Sequence, residues 1–130
     1  MAADRAEQVI GIEYVKDAVR NAKENARQNG IKNADFIAAD AADGLYRAAR
    51  RREVDILLAD PPRSGMDDAM IEAVLKVKPK KIIYISCNPA TLAKNLKELK
   101  QSYLVQTVIP FDLFPQTPLI ESVTVLTLAG

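Results

Sequence analysis

Short apolar runs alternate with segments of helical periodicity along this chain, and that alternation leaves few architectures open. Residues 8–13 (QVIGIE) form a short apolar run that predicts a strand. Val15, Ala18, Val19, Ala22 and Ala26 then recur at helical spacing, and Asn29-Gly30 supplies a helix stop. Residues 35–39 (DFIAA) predict a second strand, and 42–52 a helix rich in alanine and arginine. Residues 54–59 (VDILLA) are nearly continuously apolar, the pattern of a strand buried on both faces. Pro61-Pro62 ends that strand, and Asp67 is placed to cap a helix carrying Met70, Val74 and Val77. Residues 81–86 (KIIYIS) predict another buried strand. Asn88-Pro89 is an N-cap and first-turn pair, and Leu92, Leu96 and Leu99 follow at spacings of four and three.

Strand and helix repeated four times imply an α/β domain with a mainly parallel sheet. Residues 103–109 and 121–128 read as two further strands joined by the proline-containing segment 110–118. No helix separates them, so an antiparallel pair at one end of the sheet is expected. The 130 residues amount to one domain, with no repeat or flexible linker.

Composition narrows the chemistry. The chain has no histidine, which removes the commonest general base and metal ligand, along with Ser-His-Asp and Cys-His schemes. No metal site is expected. A single cysteine forms no internal disulfide, so a reducing compartment, the cytoplasm, is the default. Eighteen basic and seventeen acidic residues give a net charge of +1, so bulk charge does not announce nucleic acid binding. No apolar run reaches the roughly 18 residues needed to span a bilayer, and no membrane partner is expected.

Ligands of open α/β sheets bind at the carboxyl ends of the strands. Glu13, Asp40, Asp60 and Cys87 all fall at such ends. Glu13 could accept both hydroxyls of a ribose or be a plain surface carboxylate. Asp40 could accept from an adenine amino group or cap the next helix, with Asp43 competing for that role. Asp60-Pro61-Pro62-Arg63-Ser64-Gly65 is more specific: a carboxylate directly after a buried strand, then two residues without N–H groups, then a fixed positive charge and a glycine. Cys87 sits between a strand and a helix start, where amide N–H groups and the helix dipole favour a thiolate. The rival for Cys87 is an inert core thiol. Glu121 begins the last strand among apolar neighbours, a setting that suits proton transfer, against an exposed strand-end carboxylate. Arg50-Arg51-Arg52, Lys78 with Lys80-Lys81, and Lys94, Lys97 and Lys100 read as solvated faces, with phosphate contacts the alternative. Tyr103, Phe111 and Phe114 read as core rather than stacking platforms.

The motifs DPPRSG, YISCNPATLAKNL and FDLFPQTPLIESV, in that order, resemble the RNA uracil-5-methyltransferases that use S-adenosylmethionine, the tRNA and 23S rRNA enzymes included. GIEYVKDAVRNAKENARQNGIKNADF is similar to that family's cofactor-binding segment. The resemblance covers nearly the whole chain but only the later part of the family's methyltransferase domain. It implies a Rossmann-like sheet, mainly parallel with a C-terminal antiparallel strand pair, and residues 1–130 as a partial catalytic domain. It also implies Cys87 as nucleophile, Glu121 as general base, and Glu13, Asp40 and Asp60 as cofactor-binding positions. In the implied reaction the Cys87 thiolate adds to uracil C6 and makes C5 nucleophilic. C5 takes the methyl group, Glu121 removes the C5 proton, and elimination frees the cysteine. The RNA base must leave its stack to reach the thiolate.

Two departures stand out. The family's glutamate motif commonly has a histidine shortly before the glutamate, where Gln116 and Leu119 stand here. The family's first strand and glycine loop would precede Ala2-Ala3-Asp4, so this chain is expected to lack them. Weak or absent cofactor binding follows as an expectation, as does an open sheet edge that invites self-association. The alternatives are an amino-group methyltransferase, since Asp-Pro-Pro turns occur there too, and a non-catalytic domain that binds RNA or protein. A dinucleotide-dependent oxidoreductase is disfavoured because no GxGxxG precedes Glu13.

Overall fold

The computed structural model describes residues 2–112, 116 and 120–130, and it divides into two compact units, Met1–Arg51 and Arg52–Gly130. The first unit opens with a 3-10 turn, Ala2–Asp4. It continues through β1 (Val9–Glu13), α1 (Lys16–Gln28), β2 (Ala34–Ala38) and α2 (Ala41–Arg51). Strands β1 and β2 are parallel, with Val9 opposite Ala34 and Glu13 opposite Ala38. The apolar stripe of α1 buries Val19 and Ala26, and α2 buries Leu45 and Ala48. A Cβ on Gly44 of α2 would collide with the Ile12 side chain, so glycine lets that helix approach β1 closely. The Asn29-Gly30 stop is observed: Gly30 takes a positive φ of 67°, and Ile31 N–H returns to the Ala26 carbonyl.

The second unit holds β3 (Ile56–Ala59), α3 (Asp68–Val77), β4 (Lys81–Ser86), α4 (Pro89–Leu99), β5 (Tyr103–Phe111) and β6 (Glu121–Leu128). Its sheet has the order β3-β4-β6-β5. Strands β3 and β4 are parallel, while β6 runs antiparallel to both β4 and β5. The expected antiparallel pair is therefore present, with the last strand inserted between β4 and β5. Asp67 caps α3 by accepting from Met70 N–H at 2.8 Å. Asn88 caps α4 by accepting from Ala90 N–H at 3.0 Å, with Pro89 in the first turn.

Alternation along the strands puts Ile82, Tyr84, Thr124 and Leu126 on one face of this sheet, all fully buried. That face meets α4, since the Tyr84 hydroxyl reaches Asn95. The other face differs from expectation. Residues 54–59 were expected to be buried on both sides, yet Ile56 and Leu58 are 57 % and 63 % exposed. Strand β4 likewise buries one face only, with Ile83 and Ile85 half-buried. Ile56 and Leu58 alternate with Leu57 and Ala59, so they point away from the face on which Ala59 is buried. A second difference is that β5 runs through Pro110 to Phe111, not ending at Ile109. Proline is tolerated there because β5 is an edge strand. Phe114 and residues 117–119 lie outside the described residues.

Tyr103 anchors β5. It is buried, and its hydroxyl donates to the Pro79 carbonyl at 2.8 Å. Burial pushes its pKa up to about 12. The unfolded phenol ionises near pH 10, so above that pH the unfolded chain loses a proton that the folded chain keeps. Stability is then expected to fall by up to about 2 kcal/mol as pH climbs from about 10 to about 12. Urea melts of the wild type should show that loss, and Tyr103→Phe should show less of it, at a cost near neutral pH of about 1 kcal/mol. Parallel losses in the two proteins would contradict the assignment.

Candidate active site

The two acidic candidates of the first unit, Glu13 and Asp40, lie at or just beyond strand ends. Glu13 is the last residue of β1 and is exposed, and its Oε1 accepts from Val15 N–H at 3.1 Å. Ala39 N–H donates to the Glu13 carbonyl at 3.1 Å, which ties the ends of β1 and β2 together. Asp40 is exposed, and its Oδ1 accepts from Asp43 N–H at 2.9 Å, as a cap of α2 does. Of the two readings open for Asp40, the capping contact is formed.

In the second unit Asp60 follows β3 directly and is exposed. The turn after it closes with Gly65 N–H donating to the Pro62 carbonyl at 2.9 Å. Gly65 adopts φ 78°, where only glycine sits without strain. A Cβ there would lie 2.6 Å from Asn95 Oδ1. Cys87 follows β4 and is half-buried. The Ser86 hydroxyl, itself buried, accepts from Asn88 N–H at 3.1 Å and donates to the Asn88 carbonyl at 3.0 Å. Both bonds brace the turn that holds the thiol, at the start of α4.

Register relates Cys87 to Glu121. The last pair of the β4–β6 ladder is Ser86 with Ser122. Cys87 follows Ser86 and Glu121 precedes Ser122, so the two flank that last pair. Glu121 is half-buried and lies opposite Phe111 on its other side. The unit thus brings Asp60, Cys87 and Glu121 to one end of one sheet. Tyr103, by contrast, is core, and Phe111 is 44 % exposed at the edge strand.

Asn95 and Thr91 escape a reading of the sequence, and Asn88 is read there only as a cap. Asn95 is 2 % exposed, and its Oδ1 accepts from Met66 N–H at 2.8 Å and from the Tyr84 hydroxyl at 2.7 Å. Its Nδ2 donates to the Met66 carbonyl at 3.1 Å. Thr91 donates its hydroxyl to the Arg63 carbonyl at 2.9 Å, and Asn88 Nδ2 donates to the same carbonyl at 3.2 Å. Burial raises the pKa of Tyr84, the Met66 N–H opposes that shift, and the nearby Cys87 adds to it. The only available signal was the spacing of Asn88, Thr91 and Asn95 along one helical face.

The basic clusters behave as solvated surface. Arg51 pairs with Asp35 at 2.6 Å, and Lys80 with Asp55 and Glu53 at 2.8 and 3.2 Å. The Phe36 N–H and the Arg51 guanidinium both lower the pKa of Asp35. Lys94, Lys97 and Lys100 are exposed. Among the described residues no group of carboxylates and thiol could hold a metal ion, and no helix is long and apolar enough to cross a membrane.

Comparison with known proteins gives this geometry a family. The model of the tRNA (uracil-5-)-methyltransferase family matches residues 1–128. An uncharacterized RNA methyltransferase of Bacteroides thetaiotaomicron is 45 % identical over 126 residues, which is 95 % of this chain and 28 % of that protein. One from Lactobacillus johnsonii is 44 % identical over 98 % of this chain and 28 % of its own length. The chain spans little more than a quarter of these relatives. Among solved structures, the Pyrococcus abyssi tRNA (uracil-54, C5)-methyltransferase in complex with S-adenosyl-L-homocysteine matches with a TM-score of 0.76. It is 31 % identical, over 96 % of this chain and 30 % of that one. An rRNA methylase from Streptococcus thermophilus shares the fold at 12 % identity, TM-score 0.72, over 98 % and 77 % of the two chains.

The Gly65 contacts yield a stability prediction. Gly65→Ala combines a positive φ with a clash on Asn95 and should cost about 3 kcal/mol. Gly30→Ala has a similar φ of 67° but open space around it, so about 1 kcal/mol is expected. Urea unfolding of both variants is the check, and equal costs would show that the Gly65–Asn95 approach has no energetic consequence. By the match of its family model across residues 1–128, and by relatives above 40 % identity, the chain belongs to the tRNA (uracil-5-)-methyltransferase family.

Proposed function

We propose that this chain is part of a catalytic domain that transfers a methyl group from S-adenosylmethionine to C5 of a uridine in RNA, through a covalent adduct with Cys87. The observation that carries the reading is the end of the β4–β6 ladder at Ser86–Ser122, which leaves a half-buried thiol at a helix start and a half-buried carboxylate flanking the same pair. Family membership supports the reaction class, and the uracil-54 enzyme of Pyrococcus abyssi supports the target atom.

The residue types fit the chemistry. Uracil C5 is a weak nucleophile, and addition of the Cys87 sulfur to C6 pushes electron density onto it. Glu121 takes the C5 proton after methylation, and the C5–C6 double bond re-forms as the sulfur leaves. S-adenosylmethionine, when bound, supplies the electrophilic methyl group. Glu13 and Asp40 present carboxylate acceptors at adjacent strand ends, which suits ribose hydroxyls and an adenine amino group. The cap formed by Asp40 uses one acceptor site, and a carboxylate has others left. Asp60 is assigned as the cofactor-binding carboxylate of the second unit. The RNA is tRNA or rRNA, and the target base is extruded from its stack to meet the thiol.

The test places this segment within a full-length relative. Cys87→Ala should lower methyl transfer at least about a thousandfold and abolish covalent RNA capture, because the step that activates C5 is gone. Glu121→Gln should slow turnover about a hundredfold or more while a protein–RNA adduct accumulates on denaturing gels. Continued methylation of uracil C5 by Cys87→Ala would overturn the mechanism. Retained transfer by Cys87→Ser to a base amino group would support an amino-group methyltransferase instead.

A further inference from the structure

The turn after Asp60 is held by bonds that the reaction scheme does not use. Asn95 grips both main-chain groups of Met66, N–H and carbonyl, at 2.8 and 3.1 Å. Thr91 and Asn88 grip the Arg63 carbonyl from the same helical face. Tyr84, from β4, closes the set by donating to Asn95 Oδ1 at 2.7 Å. Gly65 is the residue that allows it, because any Cβ there would meet Asn95 and Thr91. Asn95 is almost wholly buried, so its amide desolvates to make these bonds and none of them is exchanged cheaply for water.

The clasp joins two loops that are distant in sequence. One carries Asp60 and Arg63. The other carries Cys87, next to Asn88, whose own side chain is part of the clasp. We propose that Asn95, with Thr91, is a positioning residue: it locks the turn containing Arg63 to the helix that begins behind Cys87, so the thiol keeps a fixed environment. The functional weight of this lock rests on the reading of Cys87 as the nucleophile. On this proposal, loosening the turn exposes the half-buried Cys87.

Two readouts test the lock on this chain without RNA or cofactor. The first is hydrogen exchange at Met66 N–H. The second is alkylation of Cys87 by iodoacetamide at fixed pH, followed by mass, since the chain has one cysteine. Asn95→Ala should speed Met66 exchange about tenfold or more and Cys87 alkylation about threefold. Ile71→Val, a buried change in α3, lowers global stability and should leave both rates alone under native conditions. Should Asn95→Ala fail to fold, Thr91 decides: Thr91→Val should speed alkylation, and Thr91→Ser, which keeps the hydroxyl, should restore the wild-type rate. Unchanged rates in Asn95→Ala and Thr91→Val, or equal changes in Ile71→Val, would overturn the proposal. A lock that passes both readouts while RNA capture fails in the full-length frame would instead remove the nucleophile reading and leave the lock standing.

Discussion

The antiparallel ladder between β4 and β6 is the interaction on which the second unit depends. Six consecutive pairs, from Lys81–Thr127 to Ser86–Ser122, fix one register. At its centre Ile82, Tyr84, Thr124 and Leu126 are fully buried, so the register is specified by packing as well as by backbone bonds. A slip of one residue would turn each buried side chain to the opposite face. It would also end the ladder on a different pair, so Cys87 and Glu121 would no longer flank the same one. The same ladder therefore holds the core and sets the relation between the two residues assigned to the chemistry. It carries one irregular polar group: Thr124 Oγ1 is buried without a hydrogen-bond partner, a local cost set against the apolar contacts around it.

Hydrogen bonds to buried groups shape the site. The pairs of Arg20, Arg27, Arg47, Arg51, Lys76 and Lys80 all join exposed side chains. Such pairs contribute little, typically under about 1 kcal/mol each, and less as salt rises. The positions of Asp60, Cys87 and Glu121 rest instead on strand register, on the Ser86 brace and on the Asn95 clasp. All three are short-range and directional.

Local signals in the sequence were strong where local physics decides. Asp67 and Asn88 could be read as caps because the capping bond spans two or three residues. Residues 81–86 could be read as a strand because β-branched and aromatic residues cluster there. The motifs around Cys87 and Glu121 placed both at strand ends, and that is where they lie. What could not be read depends on neighbours far along the chain. Ile56 and Leu58 are apolar enough for a doubly covered strand, but apolarity does not report whether a second layer is present. Asn95 looks like a surface residue of a helix, and only a glycine turn 30 residues earlier turns it inward. Asp40 carried two roles on paper, and the cap contact with the Asp43 amide is one that the sequence alone did not settle. The insertion of β6 between β4 and β5 was equally hidden, because two sequential strands can pair with either outermost.

The central claim is that the Cys87 sulfur bonds covalently to the base. The most direct measurement uses a full-length relative carrying this segment, S-adenosylmethionine, and an RNA with 5-fluorouridine at the target position. Fluorine at C5 cannot be taken off as a proton, so the cycle stops after methyl transfer with the sulfur still on C6. Mass spectrometry of the protease-digested complex should then find the methylated, fluorinated nucleotide on the peptide that contains Cys87. A peptide of unmodified mass, recovered from an enzyme that methylates ordinary uridine at C5, would contradict the account.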